Sequence, residues 1–362
     1  MKVLEICPYE PPASGWTMRL KLLRRLIRER GGVCEVLDIG PSRRLVRPEC
    51  IPVMDARDYL AKLTSFARRG FTFHCHINGE YFRGLLLALA ALIICWLFRN
   101  PRLVTFHAGT TQPFLEGWRK YALYPLFRII FGLADAVICN SETVRSRLAP
   151  FAHPSKTFPI PAFSKQYLDY KKVQLDAGLE RFIESRAPMV STYLCFRDGF
   201  FVDVLADALP YLVERWPNLG LVIVGTGDGR ADFESAMEAR RLAGHVFLAG
   251  DLPHDHFMTL LSKSAVHIRT HIRDGVSATV LEALSLRIPV VASENGIRPQ
   301  SVIAYRADDP SHLAERAHWT LGHRAQVVEA IAAPDVADTA AMEVDLISGA
   351  RCSKLAPQPD VR

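Results

Sequence analysis

The stretch IRTHIRDGVSATVLEALSLRIPVV, residues 268–291, decides how the rest of the chain is read. An apolar run at 264–268 leads into a polar loop. A helix-like segment at 277–286 follows, and Ile288-Pro289-Val290-Val291-Ala292 reads as the next strand. Strand, loop, helix and strand in that order make one βαβ unit of a parallel sheet. In open α/β sheets a ligand sits beyond the carboxyl ends of the strands, where a starting helix offers unpaired backbone N–H groups to an anion. Ser277, Ala278 and Thr279 are the expected donors, with Asp274 before the turn and Glu282 on the helix. Carboxylates beside a phosphate repel it unless they face its neutral neighbours, so this pair points to hydroxyl groups. A phosphate flanked by hydroxyls describes a nucleotide sugar.

Asp274-Gly275-Val276-Ser277-Ala278-Thr279-Val280-Leu281-Glu282-Ala283-Leu284 resembles the E-x7-E element of retaining GT-B glycosyltransferases, especially the large family four. The family pattern is acidic-Gly-Phe-Gly-x-x-x-x-Glu-Ala, followed by a Pro-Val-Val-Ala strand. Here Asp274 stands for the usual Glu, and Val276-Ser277 for Phe-Gly. The resemblance implies that Asp274 faces the transferred sugar and that Gly275, Val276, Ser277, Ala278 and Thr279 hold the diphosphate through their N–H groups. It also implies that Glu282 binds the ribose. From spacing alone the same residues read as an ordinary helix start with solvated carboxylates. The flanking strands and the matches elsewhere in the chain carry the functional reading.

A chain of 362 residues suits two domains of ordinary size. The resemblance implies an α/β GT-B protein, with two Rossmann-like doubly wound domains facing each other across a cleft. Residues 1–164 would form the acceptor domain and 165–335 the nucleotide-sugar donor domain, while 336–362 form a tail that crosses back to the first. The eight cysteines are scattered without a C-x-x-C pair, which fits reduced thiols and no structural zinc. The N-terminus lacks a hydrophobic signal core, so a cytoplasmic location is expected. The uncharged segment 85–98 is shorter than the roughly twenty residues a spanning helix needs and reads as a buried or interfacial helix.

Charge is uneven. Residues 1–165 hold 24 Lys and Arg against 12 Asp and Glu, a net of +12, and the remainder holds 20 against 26, a net of −6. A basic half points to a polyanionic surface. The basic amphipathic segment 17–30 and the aromatic, cationic segment 118–131 make an anionic membrane the expected partner, reached peripherally on its inner face. Nucleic acid is not an expected partner.

Along the chain, 1–7 reads as the first buried strand, and Pro11-Pro12-Ala13-Ser14-Gly15 is similar to the family's loop against the donor diphosphate or the acceptor. Gly15 is a donor-binding candidate or simply a turn glycine, and Trp16 stands where a second glycine is common. Strands are expected at 33–39, 71–77 and 102–106. His107, ending the last of these, resembles the family's strand-end histidine close to the transferred sugar, as a donor to the sugar or acceptor and not a general base. His74 and His76 read as packing residues. Leu133-Ala134-Asp135 to Asn140-Ser141-Glu142 is similar to a family strand entering a helix, with Ser141 as N-cap. The two prolines of 158–163 mark the interdomain linker, and a helix-like segment at 168–186 precedes a strand at 189–194.

After that strand the family carries an arginine and then Lys-Gly, whose cations neutralise the diphosphate. Cys195-Phe196-Arg197-Asp198-Gly199 keeps the glycine, puts Asp198 at the lysine position and leaves Arg197 as the nearby cation to compensate. Loss of a clamp cation weakens transition-state stabilisation. Gly225-Thr226-Gly227-Asp228-Gly229 follows a strong strand; as a dinucleotide fingerprint it fails at Arg230, though an NAD-dependent oxidoreductase is the third reading it leaves open. Gly250, Asp251 and Leu252 are the implied contacts to the nucleotide base. The leading expectation is therefore transfer, with retention, from a UDP- or GDP-sugar to a lipid-linked or other glycan acceptor, with no metal or further cofactor. The alternative is a weak or inactive GT-B module that binds nucleotide sugar or a partner transferase.

Overall fold

The computed structural model describes residues 1–9, 15–78, 82–107, 117–272 and 277–349. They form two compact units, Met1–Gln166 with the stretch that begins at Ala337, and Tyr167–Val336. Each unit is built on one six-stranded, all-parallel sheet. In the first, the strands are β1 (Lys2–Cys7), β2 (Val33–Asp38), β3 (Thr72–Ile77), β4 (Arg102–Phe106), β5 (Ala136–Cys139) and β6 (Thr157–Pro159), in the order β2-β1-β3-β4-β5-β6. In the second they are β7 (Met189–Tyr193), β8 (Gly220–Val224), β9 (Val246–Gly250), β10 (Val266–Arg269), β11 (Val290–Ser293) and β12 (Ile303–Tyr305), in the order β12-β11-β10-β7-β8-β9. The order reverses at β1/β3 in one sheet and at β7/β10 in the other. Those are the switch points at which such sheets open a crevice beyond their carboxyl ends.

Successive strand residues point to opposite faces, which explains how continuous apolar runs serve two layers at once. In the second sheet Leu221 and Ile223 enter a core with the helices Val202–Arg215 and Pro310–Gly322, while Val222 and Val224 enter another with His254–Ser262 and Ala278–Ser285. The first sheet is less symmetric. Leu4, Ile6, Phe73, Cys75 and Val104 fill an apolar core under the helices Ala56–Arg68, Phe82–Leu97 and Gly117–Leu133. The alternate residues Glu5, His74, His76 and Thr105 are also buried, so the opposite face has a polar centre. The helices Gly15–Glu29 and Thr339–Ile347 pack together, and Arg19 and Glu343 from them meet over that centre.

Two expectations are corrected. The stretch 158–163 is not wholly linker, because Thr157–Pro159 hydrogen-bonds to β5 as the last strand of the first sheet. The helix expected at 168–186 is confined to Ala177–Ser185. Asp176 Oδ1 accepts from the N–H groups of Gly178 and Leu179 at 2.8 and 3.3 Å, and that cap fixes the start further along than apolar spacing suggests. Ser141 caps the helix Glu142–Leu148 as expected, its hydroxyl accepting from the N–H of Val144 at 3.2 Å. Among the described residues no helix is long and apolar enough to cross a membrane.

Candidate functional site

In the second unit the loops after β7 and β10 meet at the switch point, and an arginine joins them. Arg269 ends β10, and only 8% of its surface is exposed. Its Nη1 donates to the carbonyl of Tyr193, at the end of β7, at 2.6 Å. Its guanidinium lies 5.9 Å from the centre of the Phe200 ring, and that of Arg197 lies 5.4 Å from it. His271 stacks on the same ring at 4.2 Å, and its Nδ1 bonds the carbonyl of Gly199 at 2.7 Å. Arg298, beyond β11, donates from Nη2 to the carbonyl of His271 at 2.6 Å and from Nε to that of Ser293 at 2.9 Å. Three guanidinium groups thus gather around the strand ends.

The reading of Arg197 as the compensating cation in this neighbourhood is therefore incomplete. Arg269 and Arg298 are distant from Arg197 in sequence and join it only because β10 lies beside β7 and β11 beside β10. A signal existed in the sequence: Arg269 places a full charge at the end of a buried strand, which is costly unless the charge has partners. The lysine-like place also depends on how it is counted. From Gly199 it falls on Asp198, but the next helix starts at Val202, and Phe201 directly before it takes a left-handed backbone with φ of 51°. Counted from the helix, Phe200 stands there, and it is the Phe200 ring that the guanidinium groups of Arg197 and Arg269 approach.

Gly225 and Gly227 are explained by packing. A Cβ on Gly225 would lie 1.9 Å from the carbonyl oxygen of Leu194, and one on Gly227 would lie 2.7 Å from the backbone N and O of Phe196. The bare glycines let this turn run against the loop leaving β7, with Phe196 N–H donating to Thr226 O at 3.1 Å. Those residues hold backbone, which is why the glycine spacing is no fingerprint for a dinucleotide.

The helix start at Ser277 is only partly described. Asp274, Gly275 and Val276 lie outside the described residues. Ser277 is the N-cap of Ala278–Ser285, and its hydroxyl lies 3.2 Å from that of Thr279. Thr279 is held in turn by His267 Nε2 at 3.2 Å, whose Nδ1 meets Ser191 at 3.1 Å. Burial, aided by the charge of Arg269, pushes the His267 pKa down to about 3, so its ring is neutral. Glu282 lies one helical turn further in, 4% exposed, with Oε1 2.9 Å from His254 Nε2. His254, on a helix the sequence reading did not place, thus already occupies one oxygen of the carboxylate expected to bind ribose. Asp251 accepts from Thr226 Oγ1 at 3.3 Å, and Gly250, with φ of 66°, accepts from Gly225 N–H at 2.8 Å. Leu252 packs against the core beside them.

In the first unit, Gly15 opens the helix Gly15–Glu29, and His107 follows β4 with its N–H bonded to Ile77 O at 2.8 Å. Trp16, at the place of the absent glycine, stacks on the His107 ring at 4.3 Å. His107 Nε2 meets His76 Nδ1 at 2.8 Å, His76 Nε2 meets Glu5 Oε2 at 2.7 Å, and His74 Nδ1 pairs with the same oxygen at 2.8 Å. Arg19 Nε donates to Glu343 at 2.7 Å, and Glu343 lies 3.9 Å from His74. His74 and His76 are thus more than packing residues.

Burial pushes the Glu5 carboxyl up, but the charge of His74 and hydrogen bonds from both histidines outweigh it and hold the pKa at about 2. Burial lowers His74, yet Glu5 and Glu343 raise it overall. His76 is lowered by burial and by His74, and His107 falls well below the usual range by burial and by both neighbouring histidines. Glu5 and Glu343 therefore face Arg19 and favour the protonated form of His74. Glu5, His74 and His76 present ligand atoms within 4.8 Å of one another, as a metal site would. A dication there would have to displace the His74 proton and leave surplus positive charge, so the ion-pair network is the better match to these residues. An ionised Glu5 can only accept, so His76 donates from Nε2 and accepts at Nδ1, and His107 must give its Nε2–H to His76. His107 then carries its proton at Nε2 and keeps Nδ1 as an acceptor.

Residues 201–314 match the family model of glycosyl transferases group 1. A human subunit of phosphatidylinositol N-acetylglucosaminyltransferase is 28% identical over 112 residues, 31% of this chain and 23% of that protein, so the chain spans under a quarter of that relative's length. The solved structure of Anabaena HepE in complex with UDP superposes with a TM-score of 0.66 at 15% identity, covering 97% of both chains. The UDP-GlcNAc 2-epimerase of Neisseria meningitidis bound to UDP-GlcNAc does so at 0.63 and 14% identity, covering 96% of this chain and 100% of that one. At such identities the likeness is one of fold, and a fold that also serves an epimerase names no single reaction. The chain is a two-unit α/β protein of GT-B type, and residues 201–314 of its second unit are similar to the glycosyl transferases group 1.

Proposed function

We propose that the protein transfers a sugar, with retention at the anomeric carbon, from a nucleotide diphosphate sugar to a hydroxyl of a lipid-linked or other glycan acceptor. The observation that carries this reading is the gathering of Arg197, Arg269 and Arg298 at the β7/β10 switch, beside the start of the helix Ala278–Ser285. Leaving-group charge on a diphosphate is stabilised by fixed cations and helix N–H groups in a site of this kind, and the lost lysine is made good by arginines from other strands. The group 1 segment encloses Arg269 and Arg298, and Arg197 lies just ahead of it. The UDP and UDP-GlcNAc bound in the two similar structures agree with a uridine nucleotide as donor. Asp274 is assigned to the transferred sugar, Glu282 to the ribose, and Gly250, Asp251 and Leu252 to the base.

The purified protein, incubated with UDP- and GDP-sugars and a polyprenyl or glycan acceptor, is expected to release nucleoside diphosphate and give a product of retained configuration by NMR. Asp274→Ala and Glu282→Ala should each lower turnover by about 10²-fold or more. Full turnover in both variants would sink the assignment. The second reading, a weak or inert nucleotide-sugar module, is favoured by the bond between Glu282 and His254 and by Asp198. Tight UDP binding without turnover of any donor would select it.

A further inference from the structure

Apart from Arg83 the helix Phe82–Leu97 carries no charged residue, yet protein covers only part of it. Leu85, Ala88, Ala91, Leu92 and Cys95 enter the core of the first unit. Phe82, Leu86, Ile93, Trp96 and Leu97 remain exposed, at 52, 46, 40, 54 and 63%. At about 100° per residue these five fall within an arc of about 100°, forming a continuous stripe on the side away from the core. The neighbouring helix Gly117–Leu133 packs beside it and adds exposed Tyr124 and Ile129. Exposed apolar area of this extent on one side of a folded unit marks a contact surface.

The charges around the stripe indicate the occupant. Residues 82–134 contain one acidic residue, Glu116, against six Lys and Arg; Arg83 and Arg99 flank the ends of the stripe and Arg128 is exposed on the second helix. An apolar partner protein needs no such bias, whereas a surface of anionic headgroups above hydrocarbon requires cations at the rim and apolar side chains between them. Phe82 and Trp96 on the stripe are the aromatic residues that an in-plane helix buries at the boundary of headgroups and hydrocarbon. At 16 residues the helix is about 24 Å long, too short for a hydrocarbon core of about 30 Å, so it would lie in the plane of the surface and not cross it.

We propose that the outer face of Phe82–Leu97, with the adjoining face of Gly117–Leu133, is an in-plane docking surface for an anionic phospholipid bilayer. The proposal concerns a surface of the first unit and stands apart from whether the second unit transfers sugar.

Co-sedimentation of the full chain with vesicles of phosphatidylcholine alone, or doped with phosphatidylglycerol, tests it. Binding is expected on the anionic vesicles, at least ten-fold weaker on neutral ones, and weakened by salt. Trp96→Gln with Leu97→Gln, both outward-facing, should lower binding at least ten-fold while leaving the urea midpoint unchanged. Arg83→Gln with Arg99→Asn should lower binding to the anionic vesicles and flatten its salt dependence. No binding to either vesicle would overturn the proposal, as would undiminished binding by the apolar variant. A wild-type oligomer that the same apolar variant converts to monomer would overturn it too, since the stripe would then be an interface between copies. If that variant does not fold, brominated lipid in the anionic vesicles should quench tryptophan fluorescence of the wild type more than of Trp96→Phe. Equal quenching would count against the proposal.

Discussion

His107 shows how a single residue acquires its chemistry from neighbours it does not resemble. Its position after a strand end is visible in the sequence, but the direction of its hydrogen bond is set by Glu5, two contacts away through His76. Long-range ¹H–¹⁵N NMR of labelled protein is expected to show His107 protonated at Nε2 and unprotonated at Nδ1 at neutral pH. In Glu5→Gln, whose amide can donate as well as accept, that single tautomer should give way to a mixture. A ring protonated at Nδ1 in the wild type would contradict the network. Trp16 belongs to the same lesson: in place of a glycine it looks like a loss, yet in space it supplies the flat surface on which that ring rests.

At the scale of elements, the first unit is held together across its length by a buried ion pair. Arg19 on Gly15–Glu29 reaches Glu343 on Thr339–Ile347, with further bonds to Thr339. Removing one partner leaves a buried charge uncompensated, so Arg19→Met should cost about 3–5 kcal/mol of stability. Arg19→Met with Glu343→Leu should recover most of that loss, read from urea midpoints; equal loss in both would deny the pair its role. The polar face also makes the unit acid-sensitive. Glu5 titrates lower in the folded state than its usual 4.5, at about 2. Its contribution is therefore complete above about pH 4.5 and is lost as pH falls from there toward 2. His74 is raised, so its share is complete below its ordinary value of 6.5 and is lost as pH rises through the elevated one. The urea midpoint should drop between pH 5 and pH 3, and Glu5→Gln should flatten that drop while lowering the midpoint at pH 6.

For the molecule as a whole, the two units share one architecture and differ in charge. Under the proposed function, nucleoside diphosphate binds the second unit, so UDP at 100 times its Kd should add about 2.7 kcal/mol of stability. Calorimetry should show that gain in the transition of the second unit and lose most of it in Arg269→Met. An unchanged UDP response in that variant would remove Arg269 from the site. The eleven-residue pattern at 274–284 and the family segment at 201–314 fall in one unit, while the basic excess and the exposed apolar stripe fall in the other.

Sequence alone was enough for the parallel α/β class, because buried parallel strands read as unbroken apolar runs and each is followed by a helical period. It was enough, too, for the helix start at Ser277, for the cap at Ser141 and for His107 at a strand end, since these depend on residues close together in the chain. It could not assign Arg269 and Arg298 to the strand ends around Phe200, see His254 on Glu282 or join Glu5 to His107. Each of those contacts spans tens of residues and exists only once strand order is fixed. Where the helix Ala177–Ser185 begins was lost for a related reason, since apolar spacing says little about which polar side chain will close the first turn. Local patterns follow from neighbours along the chain; the charge that surrounds a site follows from which strands the sheet places side by side.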